Sequence, residues 1–296
     1  MKNILQHILE NNILADTHCH LSMSVYKEDC IDVVRRADTQ GVHLTVGMSV
    51  DLDNSKEVVA QAEKFPSLQA AIGIDPEVYI EGSTLVNFSI MPQDTWQLED
   101  YLVKDEASNI VMIGETGLDN YWNKKNDLSE QEEHKSRQLQ RALFHEHILL
   151  AQKYNMPLSI HSREAIHDCL DILKELESGF STKKMRGVFH SMTPEEGDTE
   201  VTYYQKIRDV QDNGFMVGLN GIITYKNAHI LRNSVLRLLE EQGVKKLTEP
   251  QELYQAGFVL ETDGPYLAPD GKRGERNEPA YVRLIFEFLQ NALDKT

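Results

Sequence analysis

The stretch Phe258–Pro269, FVLETDGPYLAP, opens as an apolar strand and ends in two carboxylates before a Gly-Pro turn. Glu261 and Asp263 stand two positions apart, so strand alternation puts both on one face, where like charges repel. Seven further apolar runs of strand length precede it: ILADTH (13–18), HLTVGMS (43–49), QAAIGI (69–74), IVMIGE (110–115), PLSIH (157–161), RGVFH (186–190) and FMVGL (215–219). Between them lie segments of helical periodicity at Glu28–Gln40, Ser55–Phe65, Glu130–Tyr154, Ala165–Leu176 and Ala228–Gln242, and Tyr281–Leu293 closes the series. Near-continuous apolar strands alternating with amphipathic helices specify a parallel sheet covered on its outer face. Eight such units in a chain of 296 residues favour an α/β fold of one closed (β/α)8 TIM barrel over an open doubly wound sheet. No G-x-G-x-x-G turn follows the first strand, which removes the main signature of a dinucleotide-binding sheet. Residues 1–296 are expected to form a single barrel, with residues 1–12 an extra N-terminal segment folded as a short helix over the barrel floor or serving as a docking surface.

Composition narrows the class. Apolar residues make up 41% and charged residues 26% of the chain, ordinary values for a globular protein with a sizeable core. The first twenty residues lack a signal-peptide pattern, and no window approaches roughly 18 uninterrupted apolar residues, so no membrane span is expected. Cys19, Cys30 and Cys169 are odd in number and show no C-x-x-C spacing, which fits a reduced, cytoplasmic protein. The net charge of −17 argues against coating nucleic acid by charge alone, but not against an enzyme that meets a few phosphates through metal ions.

In a barrel of this kind the active site lies at the C-terminal ends of the strands. Reading those ends gives His18 and His20, Glu115, His161, His190 and Asp263. The i, i+2 spacing of His18 and His20 puts both imidazoles on one face and Cys19 on the other. Asp16 shares the histidine face, where it orients a ligand or is an ordinary strand-edge carboxylate. Asp119 and Tyr121 line the site or cap the next helix. His7, His134, His145, His147, His167 and His229 fall on helical segments or their flanks and read as surface residues, while His43 opens the second strand.

Imidazoles and carboxylates without thiolate suit Zn2+, Mn2+ or Mg2+. Six ligands exceed what one catalytic ion needs, and suffice for two ions about 3.5–4 Å apart bridged by a carboxylate. Glu115 is the natural bridge, and Asp263 is read as both ligand and general base toward a metal-bound water, generating the nucleophile.

The blocks DTHCHL, GETGLD, IHSREA and ETDGPYLAP…RGERNEPAYV resemble the TatD family of metal-dependent deoxyribonucleases, among the amidohydrolase-like barrels. The likeness runs from about Ala15 to Val282. It implies a (β/α)8 barrel, a divalent-metal site at His18, His20, Glu115, His161, His190 and Asp263, and hydrolysis of DNA phosphodiesters, commonly as a 3′-to-5′ exonuclease. Arg163, Lys226, Arg276 and Asn277 match positions that hold phosphate. Tyr266, with Tyr79, Trp96, Tyr121, Trp122 and Tyr225, is read as an aromatic that stacks bases of a single-stranded or frayed end. The pattern departs from the family at Ile74-Asp75-Pro76, where a His-Pro pair is usual, and at Ser191-Met192-Thr193-Pro194 after His190. Two rival readings stay open. One is the same metal site cleaving an ester or amide, such as a D-aminoacyl-tRNA. The other is a non-catalytic barrel subunit whose protein partner docks on the N-terminal extension. The oligomeric state is left open.

Overall fold

The computed structural model describes residues 4–104, 109–125, 128–180 and 185–295. Its strands are β1 (Ala15–Cys19), β2 (Leu44–Met48), β3 (Leu68–Ile72), β4 (Ile110–Asp119), β5 (Leu158–Arg163), β6 (Gly187–Phe189), β7 (Met216–Leu219) and β8 (Phe258–Leu260). They lie in one parallel sheet in sequence order. The sheet closes where Asp263 N donates to His18 O (2.9 Å), His20 N donates to Gly264 O (2.8 Å) and Cys19 bridges Gly264 in parallel sense. This is the (β/α)8 barrel.

The helices are α1 (Ile4–Glu10), α2 (Cys30–Thr39), α3 (Leu52–Ala62), α4 (Trp96–Lys104), α5 (Tyr121–Lys125), α6 (Glu130–Tyr154), α7 (Ile166–Phe180), α8 (Glu200–Asp212), α9 (His229–Glu241), α10 (Pro250–Gln255) and α11 (Val282–Leu293). The bounds of α6 follow from local chemistry. Ser129 and Glu132 form a reciprocal capping box at its start, and Asn155 ends it in the left-handed conformation.

Two apolar layers hold the barrel. Outward-facing strand residues such as Ala70, Ile72, Leu158, Ile160, Phe189, Val217 and Leu260 pack with Phe144, Ile148, Leu170, Ile207, Leu239 and Ile285 of the helices. A second cluster joins Ala15, Val46, Met48, Ala71, Met112, Val188 and Val259 with Ile4, Leu5 and Ile8 of α1. Because α1 precedes the start of β1, it covers the N-terminal end of the barrel, opposite the strand ends. Its apolar face is buried there, and among its described residues Gln6 and Glu10 are exposed.

Two strands depart most from the sequence expectation. β8 stops at Leu260, not Asp263, and β4 runs on to Asp119. Pairing of β4 with β5 slips in register between Ile113 and Thr116. Gly114 sits at that slip with φ 154°, and a Cβ there would lie 2.7 Å from Ser159 O, so only glycine fits. No described helix is long and apolar enough to cross a membrane.

Candidate metal centre

β1 places His18 and His20 side by side, with Nε2 atoms 3.2 Å apart. Cys19 points the other way, into a buried cluster with Leu21, Tyr26 and Val33. β4 brings in Glu115, whose two oxygens face different partners. Oε2 lies 3.4 Å from His18 Nε2 and 3.6 Å from His20 Nε2, whereas Oε1 lies 2.9 Å from His161 Nδ1 and 2.7 Å from His190 Nε2. Asp263 Oδ1 completes the ring, 3.8 Å from His18 Nε2 and 3.5 Å from His20 Nε2. The structure therefore brings together all six strand-end residues named from the sequence. They form three overlapping triads, His18/His20/Glu115, Glu115/His161/His190 and His18/His190/Asp263.

Imidazole nitrogens this close cannot all carry protons toward one another. His190 Nε2 and His161 Nδ1 are 3.3 Å apart, and His18 and His190 stack with centroids 4.0 Å apart. Lone pairs converging on shared points between carboxylate oxygens are what a divalent cation satisfies, so the donor set fits metal. The carboxylates make the ring a site that draws positive charge. Burial pushes the His18 imidazole down to about 4, assisted by the neighbouring His190, which keeps it neutral. Burial also opposes protonation of His20, yet the Asp263 and Glu115 carboxylates prevail and raise it to about 9. For Glu115 burial works against ionisation, and the His190 and His18 rings overcome it and hold the carboxyl well below its usual range. Asp263 is likewise held below its usual range, by His20, His18 and His190 against the effect of burial.

Behind these side chains stand groups that hold them in place. His18 Nδ1 lies 3.1 Å from Ser159 Oγ, and His161 Nε2 lies 3.0 Å from Asp119 Oδ2. Asp119 does both jobs considered for it, since its Oδ1 also accepts from Trp122 N at the start of α5 (3.0 Å). Ser159 escaped the sequence reading, although it stands two residues before His161 on β5 and alternation alone puts it on the same face. Asp16 accepts from Thr262 N (2.9 Å), Thr262 Oγ1 (2.5 Å) and His18 N (3.2 Å), tying β1 to the segment after β8. Its burial raises the carboxyl to about 7 despite those bonds. Asp75, in the place of the usual histidine, is buried beside the centre and caps its own turn by accepting from Glu77 N (2.7 Å). Burial, with Glu115 nearby, pushes its carboxyl up.

The residues assigned to substrate divide. The exposed Arg163 guanidinium stacks 3.9 Å over the Tyr121 ring and 5.3 Å from Trp122, with no carboxylate within ion-pair distance among the described residues. Lys226 and Tyr266 are exposed on loops at the strand ends. Arg276 is engaged by its neighbours: it grips Asp29 through both nitrogens (2.7 and 2.6 Å), donates to Val25 O and lies over Tyr26, all between β1 and α2. Asn277 is fully buried and donates to Thr262 O (2.8 Å) and Tyr266 O (2.6 Å), so it shapes the loop. Tyr79 is buried too, its hydroxyl donating to Ile90 O (3.0 Å), which removes it from the stacking aromatics. His147 is likewise inside. It lies on the barrel-facing side of α6, where Nε2 accepts from Ile74 N (3.0 Å) and Nδ1 donates to Leu143 O (2.9 Å). Finally, Glu261 and Asp263 do not share a face. The strand ends before them, and φ of 55° at Asp263 sends its carboxylate to the ring while Glu261 turns to Ser191 N.

Among similar proteins is the uncharacterized metal-dependent hydrolase YabD of Bacillus subtilis, 28% identical over 284 residues that span 96% of this chain and 92% of that protein. YcfH of Escherichia coli K12, also described as an uncharacterized metal-dependent hydrolase, is 25% identical over 93% of this chain and 86% of its own. The crystal structure of YjjV, a TatD homologue from Escherichia coli K12, superposes with a TM-score of 0.71 at 23% identity, covering 95% of this chain and 92% of that one. A TatD-family hydrolase from Entamoeba histolytica superposes at 0.62 with 18% identity, covering 95% and 96%. Residues 15–296 match the family described as TatD related DNase, and the chain belongs to that family.

Proposed function

We propose that this protein is a divalent-metal-dependent hydrolase of DNA phosphodiester bonds, acting as a 3′-to-5′ exonuclease on single-stranded or frayed ends with two ions. The observation that carries this reading is the division of Glu115. One oxygen faces His18 and His20, the other His161 and His190. A carboxylate so placed suits a bridge between two sites, with Asp263 beside the first pair. Bound divalent ions would supply Lewis-acid polarisation of a phosphoryl oxygen and neutralise charge in the transition state.

The chain's own groups do the rest. Asp263, ionised and partly open to the mouth, accepts the proton of the attacking water. Arg163 offers a planar fork to a non-bridging phosphate oxygen, held by its stack on Tyr121. Tyr266 presents an exposed ring to a terminal base. The free cysteines support a reducing, cytoplasmic setting.

The test is degradation of end-labelled single-stranded DNA by purified protein with Mg2+, Mn2+ or Zn2+. Loss of 3′-terminal nucleotides is expected, and Asp263→Asn should abolish it while leaving the fold intact. Intact DNA under all three metals would end this reading.

One observation favours ester hydrolysis at the same site. Arg276 and Asn277 are occupied elsewhere, which withdraws two of the groups assigned to phosphate. A parallel panel of aminoacyl and other esters decides between the two. Activity in neither assay, together with an inert Asp263→Asn, would leave the non-catalytic subunit.

A further inference from the structure

We propose that Glu261 is a positioning residue that orients His190 toward the metal centre, an inference that rests on the metal reading of the six-residue ring. His18 and His161 each have the outer ring nitrogen held, by Ser159 and Asp119 respectively. His190 presents Nε2 to the centre, 2.7 Å from Glu115 Oε1, and its outer nitrogen Nδ1 is buried without a hydrogen-bond partner. Glu261 Oε1 lies 3.9 Å from that nitrogen. Glu261 is itself fully buried, and its Oε2 also lacks a partner.

His190 Nδ1 has no partner in a dry barrel, and Glu261 Oε1, which already accepts from Ser191 N, has a second lone pair to offer it. A movement of about 1 Å brings the pair within ordinary hydrogen-bond distance. Such a bond would place the proton on Nδ1 and leave the Nε2 lone pair for the centre.

The surroundings are arranged for this carboxylate. Its Oε1 accepts from Ser191 N at 2.5 Å, so it grips the backbone immediately after His190. Asn220 Nδ2 donates to Ser191 Oγ (2.7 Å), and His190 N donates to Ile160 O of β5 (3.0 Å), so the turn is held from several sides. Room for the carboxylate comes from Gly218 on β7. A Cβ there would lie 2.2 Å from Oε2 and 2.6 Å from Cδ, so any larger residue displaces it.

The experiment uses full-length protein stripped of metal and titrated with Zn2+ or Mn2+ alone by calorimetry, alongside the tautomer of His190 read by long-range nitrogen–proton NMR. Wild-type His190 is expected to be Nδ1-protonated. Glu261→Gln and Gly218→Ala, with melting curves to confirm folding, should each weaken binding of one ion about 10–100-fold and mix the tautomers. Native affinity and an unchanged tautomer in a folded variant would overturn the assignment, as would an Nε2-protonated His190 in the wild type. That last readout needs neither variant nor metal. If wild type binds no ion, the metal reading fails, and the tautomer still decides whether Glu261 holds His190.

Discussion

At the scale of single residues, His147 shows how a buried ring couples stability to pH. Burial lowers its imidazole from 6.5 to about 4, and in the fold it stays neutral while accepting from Ile74 N. Between these values the unfolded chain binds a proton that the folded chain refuses. Its contribution is therefore present above about pH 6.5 and lost as pH falls toward 4, and a difference of that size corresponds to about 3 kcal/mol. Urea unfolding of His147→Gln across this window should show a smaller loss than wild type; an equal slope would remove His147 as the cause. Arg163 and Arg276 make a second contrast. Arg163→Ala should raise KM for DNA several-fold with the melting temperature unchanged. Arg276→Ala should cost about 1 kcal/mol in stability, because its fork is spent on a partly exposed Asp29. Kinetics and thermal melts on the two variants separate these roles.

Among elements, α1 carries a stability role that its seven residues would not suggest. Ile8 is fully buried at the barrel floor with Ile4 and Leu5. Ile8→Ala should destabilise by roughly 2–4 kcal/mol in denaturant unfolding. Metal affinity should be unchanged, since the ring lies at the opposite strand ends. Altered metal binding in Ile8→Ala would mean that the two ends are coupled. The eight strands and α1, α2, α3, α6, α7, α9 and α11 stand near where apolar runs and helical periodicity put them, α6 over its whole span, whereas α4, α5, α8 and α10 were not among the segments named. The strand ends were less legible. β8 reads as continuing to Asp263, but the chain leaves the sheet at Leu260 to close the barrel against β1, and alternation no longer governs Glu261 and Asp263.

Over the whole molecule, a net charge of −17 sets the expected response to salt. If Arg163 and Lys226 supply two phosphate contacts, the logarithm of single-strand binding should fall with that of salt with a slope of about −1.4. A much steeper slope, from fluorescence anisotropy, would indicate contacts beyond these two. Chelation should lower the melting temperature and re-addition restore it, corresponding to about 2.7 kcal/mol when the ion stands at 100 times its Kd. An unchanged melt would argue that no ion is bound in the native state. The sequence by itself determined the alternation of apolar strands and amphipathic helices, and hence a barrel with His18, His20, Glu115, His161, His190 and Asp263 at one end, because period and strand-end position are local properties. It could not assign Ser159 to His18, Arg276 to Asp29, His147 to Ile74 or Glu261 to the turn after His190. Those partners lie between 70 and 247 residues apart or, as with Glu261, depend on where a strand stops, and only closure of the barrel decides which of them meet.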